Sequence, residues 1–258
     1  MYLYFRCYID KGAVFVDYKQ FFDQLNGKKI AMCGIGVSNT PLILKFLDMG
    51  ARVFACDRRS RDLIGPVADE LEAKGAELKL GSDYLKNLEV DMVFRTPGMH
   101  PNIPALKALR ESGAEVTSEM EVFFELCPCT ILAVTGSDGK TTTTTLIAEL
   151  LKAQGHTVHL GGNIGKPLLS EAGEMKETDV AVLELSSFQL MGMAYSPMVS
   201  AITNLTPNHL CKAVYSFYGF VYGKHNCVFS SLFLRSQFQP MAACLMNIIL
   251  KLLKVIFL

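Results

Sequence analysis

The sequence predicts an α/β protein: a Rossmann-like N-terminal domain on a parallel, doubly wound sheet, then an incomplete domain of the phosphate-loop type. Three observations carry this. Short apolar runs alternate with helical patterns from Lys29 onward. A glycine turn twice separates a buried strand from a helix start, at Gly34 and at Gly136. Near Phe124–Thr130 the alternation begins again, which places a domain boundary there.

Taken in order, Lys29–Cys33 reads as a short buried strand closed by the turn Gly34-Ile35-Gly36. Ser38 or Asn39 caps the next helix, Pro41 sits in its first turn, Leu42–Met49 forms its apolar stripe and Gly50 ends it. Arg52–Cys56 is the following strand, closing at Asp57, and completes a βαβ unit. A helix around Leu63–Lys74, strands at Glu77–Leu80 and Met92–Thr96, a helix over Ile103–Ser112 stopped by Gly113, and a strand at Glu115–Thr117 continue the pattern. The second unit opens with strand Ile131–Thr135, the loop Gly136–Gly139 and a helix from Lys140 to about Gln154. Strands at Thr157–Leu160, Val180–Leu185 and Ser200–Leu205 follow. The domains expected are therefore 1–125, 126–210 and a distinct tail, 211–258.

Composition sets outer bounds. Lys plus Arg and Asp plus Glu are equal at 25 each, so no basic footprint for nucleic acid is present. The 8 cysteines lack the paired spacing of a disulfide framework or zinc site, and Cys127-Pro128-Cys129 reads as two buried thiols. With no secretory leader at the start, a reducing cytoplasm is the expected setting.

The strongest chemical signal is Gly136-Ser137-Asp138-Gly139-Lys140-Thr141-Thr142, lying between a buried strand and a helix start. Glycines let backbone N–H groups turn inward around phosphate oxygens, and a helix N-terminus adds roughly half a positive charge there. Lys140 supplies a full charge to the outer phosphates, and the Thr141 hydroxyl is placed for Mg²⁺. Val134 stands where the longer phosphate-loop pattern would have its first glycine.

This short GxxGKTT form resembles that of the Mur ligase family, shared with folylpolyglutamate synthetase and its relatives. Three more segments match in order: Gly161-Gly162-Asn163-Ile164-Gly165, Glu184-Leu185-Ser186-Ser187-Phe188-Gln189-Leu190, and Asn204-Leu205-Thr206-Pro207-Asn208-His209. The resemblance runs from about Phe21 to Leu210, and the ELSSFQL segment is similar to the one that marks the D-glutamate-adding branch. It implies an ATP-dependent ligase that joins D-glutamate to UDP-N-acetylmuramoyl-L-alanine, with ATP and Mg²⁺ as cofactors, acting as a monomer. By the same resemblance Lys140, Glu184 and His209 are catalytic, and Thr141, Glu184 and His209 are metal ligands. Asn163, Ser186 and Gln189 would hydrogen-bond substrate oxygens. Glu184 also fits this role on its own terms, as a carboxylate at the end of a buried strand on the ligand-binding edge of the sheet.

The first domain carries two readings. Gly34-Ile35-Gly36 with strand-end Asp57 imitates a dinucleotide fingerprint, although Asn39 replaces its third glycine. The resemblance implies instead that Val37, Ser38, Asp57 and Arg58 grip the UDP end of the substrate and that Thr96, Pro97 and Gly98 help enclose it.

The match stops at Leu210. The last acid is Glu184, and Cys211–Leu258 lacks Asp and Glu entirely. The family's following aspartate, its carbamylated lysine and its third domain have no counterpart there. A frameshift is the expected origin of this tail, with the chain an inactive fragment. Met241–Leu258 is apolar except for Asn247, Lys251 and Lys254, marginal against the ~20 apolar residues of a spanning helix.

Overall fold

A computed structural model describes residues 17–36, 39–165, 167–191, 193–204 and 232–233. They form two five-stranded parallel sheets, as expected. In the first unit β1 (Lys29–Cys33), β2 (Arg52–Asp57), β3 (Glu77–Leu80), β4 (Met92–Phe94) and β5 (Glu115–Thr117) lie in the order β3-β2-β1-β4-β5. The register runs from Ile30↔Val53 and Ile30↔Met92 to Phe94↔Thr117. The order reverses between β1 and β4, so the turns leaving these two strands flank one crevice at the carboxyl edge of the sheet.

The strands are apolar because helices cover both faces of a parallel sheet. Ile30, Ala31, Met32 and Cys33 are all fully buried. α2 (Thr40–Asp48) lays Leu42, Ile43 and Phe46 against the sheet, and the Phe46 ring meets Phe94 at 5.0 Å. α5 (Pro104–Glu111) contributes Leu106 and Leu109 to a core with Ala31, Phe54 and Val93.

Two details depart from the sequence reading. The helix expected over Leu63–Lys74 is two: α3 (Arg61–Ile64) and α4 (Pro66–Ala73). Gly65 turns through φ 72° and Pro66 starts the second helix, where its missing N–H costs nothing. Asn39 precedes α2 but does not cap it. Its Nδ2 reaches back to the carbonyls of Cys33 and Gly34, both at 3.0 Å, and pins the turn after β1.

Helices α1 (Tyr18–Asp23) and α6 (Glu119–Leu126) complete this unit, the latter capped by Ser118, whose Oγ accepts from Glu121 N. A segment distant in sequence joins them. Residues 167–174, ending in the 3-10 turn Leu169–Glu174, pack with the first unit although they interrupt the second. Tyr18 Oη donates to Ser170 O at 3.0 Å, Lys45 Nζ donates to the same carbonyl and to Tyr18 Oη, and Leu169 N donates to Glu119 Oε1 at 3.0 Å. Burial pushes the Glu119 carboxyl up, against the opposing pull of the Leu169 and Leu168 amides.

The second unit comprises β6 (Thr130–Thr135), α7 (Lys140–Ala153), β7 (Val158–Gly162), β8 (Val180–Glu184), α8 (Ser187–Leu190), β9 (Val199–Ile202) and β10 (Leu232–Phe233). Its sheet order is β10-β9-β6-β8-β7. β6 lies between β8 and β9, with Val134↔Glu184 on one side and Thr135↔Ile202 on the other. Leu132, Val134, Ile147, Leu151 and Val182 form the core under α7. Apart from Leu232 and Phe233, which pair with Ala201 and Ile202, the tail lies outside the described residues. No helix among the described residues is long and apolar enough to cross a membrane.

Phe46 has no exposure and a ring neighbour on either side, Phe22 and Phe94. Phe46→Ala should cost about 3–5 kcal/mol in denaturant unfolding, the range for a large buried aromatic. Leu63→Ala, at a side chain 70% exposed, should leave the midpoint unchanged. Equal effects from the two would disprove this packing.

Candidate functional site

The loop Gly136–Gly139 leaves the buried end of β6 at the middle of its sheet. Gly136 sits at φ 139°, and a Cβ there would stand 2.1 Å from Thr203 Oγ1 and 2.9 Å from Asn204 O. Only glycine lets the loop pass the end of β9 this closely. Gly139, at φ 75°, starts α7 without a side-chain cap, so the first amides of that helix are presented by backbone alone. Lys140 folds back over the loop, donating from Nζ to Gly136 O at 2.9 Å and Ser137 O at 3.0 Å. That spends two of its three donors and holds the ammonium at the loop.

Glu184 ends β8 beside this loop and is only 1% exposed. A carboxylate so buried needs partners for both oxygens. Thr141 Oγ1 donates to Oε2 at 2.7 Å and Asn163 Nδ2 donates to Oε1 at 2.9 Å. The backbone locks the same contact, because Asn163 N donates to Glu184 O at 2.7 Å. Gly162, at φ 94°, permits it: a Cβ there would lie 2.1 Å from Glu184 O. The structure thus brings together Gly136, Ser137, Asp138, Gly139, Lys140, Thr141, Asn163 and Glu184. Thr142 follows on the exposed first turn of α7.

Ser186 and Gln189 lie just beyond and form a capping box on α8. Ser186 N donates to Gln189 Oε1 at 2.9 Å and Gln189 N donates to Ser186 Oγ at 3.2 Å. The Gln189 carbonyl oxygen and the Ser186 hydroxyl are therefore engaged in shaping the turn after Glu184. His209 lies outside the described residues, as do Val37 and Ser38. Among the described residues no three His, Cys, Asp or Glu side chains cluster as a metal set. Thr141 with Glu184 offers two hard oxygen donors side by side.

In the first unit, the turn Gly34–Gly36 leaves β1 opposite the turn Thr96-Pro97-Gly98 after β4, where Met99 N donates to Thr96 O at 3.0 Å. A Cβ on Gly34, at φ 93°, would stand 3.4 Å from Thr96 Cβ. Asp57 is 7% exposed and its oxygens are filled from within. Oδ2 accepts from Ile35 N and Arg59 Nη2, each at 2.8 Å; Oδ1 accepts from Arg59 N at 2.9 Å and Arg59 Nε at 3.1 Å. Arg59 also donates to Ile35 O. Arg58, singled out from the sequence, is exposed; its neighbour Arg59 is the one that organises the turn. Nothing in the one-letter pattern separates two adjacent arginines. Only the direction of the chain after β2 does.

Cys33 and Cys56 are free, buried and paired in register on β1 and β2. Burial pushes both thiols up, that of Cys56 to about 12. They are inert core residues.

Residues 134–212 match the family model for the Mur ligase middle domain. The UDP-N-acetylmuramoylalanine--D-glutamate ligase of Clostridium botulinum strain Okra is 50% identical over 195 residues, which is 75% of this chain and 43% of that protein. The protein of the same name from Acetivibrio thermocellus is 53% identical over 191 residues, covering 74% of this chain and 41% of the relative. The chain spans less than half the length of the curated relatives it matches. A crystal structure of UDP-N-acetylmuramate:L-alanyl-gamma-D-glutamyl-meso-diaminopimelate ligase from Neisseria meningitides aligns at TM-score 0.49 and 18% identity, over 86% of this chain and 75% of that one.

Burial raises the Asp57 carboxyl, but hydrogen bonds from Arg59 and Ile35 outweigh it and hold the group below the ordinary aspartate range. A depressed acid contributes stability above its unfolded pKa of about 4 and loses it as pH falls through the lower folded value. Asp57→Asn should therefore be less stable than wild type at pH 7, with the gap closing at pH 3. Denaturant titration at both values is the test, and a gap that widens in acid would contradict it.

Proposed function

We infer that the chain is a member of the Mur ligase family and that it carries the ATP-holding and UDP-substrate-holding parts of a D-glutamate-adding ligase. In that reaction ATP phosphorylates the carboxylate of UDP-N-acetylmuramoyl-L-alanine, and the amine of D-glutamate displaces phosphate to form the amide. The observation that carries the reading is the buried Glu184 carboxylate set between Thr141 and Asn163 at the foot of the phosphate loop.

The parts divide by chemistry. Amides at the start of α7 and the Lys140 ammonium hold the phosphate oxygens and meet negative charge as it builds on the transferring group. Thr141 Oγ1 and Glu184 Oε2 would hold Mg²⁺. The donor set fits a hard cation, being oxygen only and including one carboxylate. When bound, Mg²⁺ neutralises phosphate charge as a Lewis acid. Asn163 keeps the other carboxylate oxygen fixed, so Glu184 faces Thr141 in one orientation. His209 is proposed as a further ligand by its position in the matched segment.

The first unit is proposed to hold the UDP end of the substrate at the crevice between the turns after β1 and β4. In a dinucleotide site the strand-end acid accepts from ribose hydroxyls. Here both Asp57 oxygens are already filled by Ile35 and Arg59, which weighs against an NAD ribose held there and equally against the direct UDP contact expected of Asp57.

Two outcomes are expected. The chain should bind Mg·ATP by titration calorimetry and Lys140→Ala should lose that binding, since a full charge beside the phosphates is removed while a half-buried helix start tolerates alanine. Undiminished affinity in Lys140→Ala would exclude the loop as the nucleotide site. In a thermal-shift assay, UDP-N-acetylmuramoyl-L-alanine should raise the midpoint and NAD should not; the opposite pattern would refute the substrate assignment.

A further inference from the structure

The first half of the phosphate loop is gripped by two residues outside the matched glycine-lysine motif. Ser137 N donates to Asn204 Oδ1 at 3.1 Å and to Asn204 O at 3.0 Å. Asp138 N donates to the same Oδ1 at 2.9 Å. Thr203, one residue earlier, donates from Oγ1 to Asp138 O at 2.6 Å. Gly136 turns against this pair with no room for a side chain. From the other side Lys140 takes the carbonyls of Gly136 and Ser137.

Two N–H groups converging on one oxygen is how an anion-binding loop receives a phosphate oxygen. In this loop a neutral amide oxygen from the end of β9 occupies that position. The lysine contacts are those that a phosphate competes for. The Asn204 and Thr203 contacts join groups that no phosphate need reach, and β9 is anchored by its register with β6. Neutrality matters as well: an aspartate would offer the same two acceptor positions but set a negative charge beside the phosphates.

We propose that Asn204 is a positioning residue for phosphate binding, its amide oxygen holding the arch at 136–138 in shape whether or not nucleotide is present. The amides from Gly139 onward and Lys140 are thereby left to hold the phosphates, with the loop already ordered. The inference rests on the reading of Gly136–Thr142 as a nucleotide loop and adds to it a second element that sets affinity. Ser137 is half-buried and Asp138 exposed, so water can replace the amide oxygen in a variant. Loss of Asn204 should then weaken binding more than folding.

The test titrates Mg·ADP into the full chain and into Asn204→Ala and Asn204→Asp, following heat, thermal midpoint and the Ser137 and Asp138 amide resonances. In wild type, ADP should bind and leave those two resonances nearly in place. Asn204→Ala should shift both, weaken ADP by roughly ten-fold or more and move the midpoint little. Asn204→Asp should keep the two resonances near their wild-type positions yet bind more weakly, with the deficit relieved by salt. It also serves as the readout should the alanine variant fail to fold. Wild-type affinity in Asn204→Ala overturns the proposal, and so does a large shift of the two wild-type resonances on adding ADP, which would make Asn204 a plug displaced by phosphate. No binding by wild type would overturn the nucleotide reading and this inference with it; binding by wild type that Asn204→Ala retains in full would overturn this inference alone.

Discussion

The second unit is organised around one buried negative charge. Glu184 ends a strand whose other residues are all apolar and buried, and leaving its carboxylate unpaired there would cost several kcal/mol. Its requirements explain the neighbourhood. Gly162 is glycine because the chain passes within a methyl's reach of the Glu184 carbonyl, and Asn163 stands where one residue can satisfy both the backbone and the side chain of Glu184. Thr141 completes the set from the first turn of α7, and that contact ties the carboxylate to the phosphate loop. Removing Thr141 or Asn163 would leave one oxygen of this buried carboxylate without its side-chain donor.

The first unit applies the same logic to a different end. Asp57 is also a buried strand-end acid, but it faces Ile35 N and Arg59, and all its capacity is turned inward. It fixes the turn after β1 and the direction of the chain after β2. Two acids at equivalent places on two parallel sheets thus differ in what they offer. Glu184 holds one oxygen against the Thr141 hydroxyl at the start of α7, whereas Asp57 anchors a loop.

The segment 167–174 shows how the helices around a parallel sheet recruit distant chain. Tyr18, Lys45 and Glu119 come from three helices of the first unit, and all three hold this one stretch, mostly through its backbone. Gly173 lies so close that a Cβ would stand 2.4 Å from the Tyr18 ring. Its own sequence, Leu168 and Leu169 followed by small and polar residues, carries no periodic pattern that would mark it. Backbone partners are invisible to a side-chain pattern.

Much of the fold is legible in the sequence. The alternation of apolar strands with helices foretells the two parallel sheets, and the motif Gly136–Thr142 foretells a glycine loop between a buried strand and a helix start. Those features are local, set by residues adjacent in sequence. Local reading failed where partners were remote or where two roles suit one residue. Asn39 suits a helix cap, but the carbonyls of Cys33 and Gly34 came within reach and took its amide. Gln189 and Ser186, which the resemblance directs at substrate, also hold each other in the capping box of α8. The choice of Arg59 over Arg58 to hold Asp57 depended on the direction of the chain after β2, and that of Asn204 to hold the loop on strands arriving side by side from tens of residues away. Residues adjacent in the chain set the strands, the helices and the glycine turns between them. Tertiary structure alone decided which polar groups are spent on one another, because that depends on distances between strands that are neighbours in the sheet and far apart in the chain.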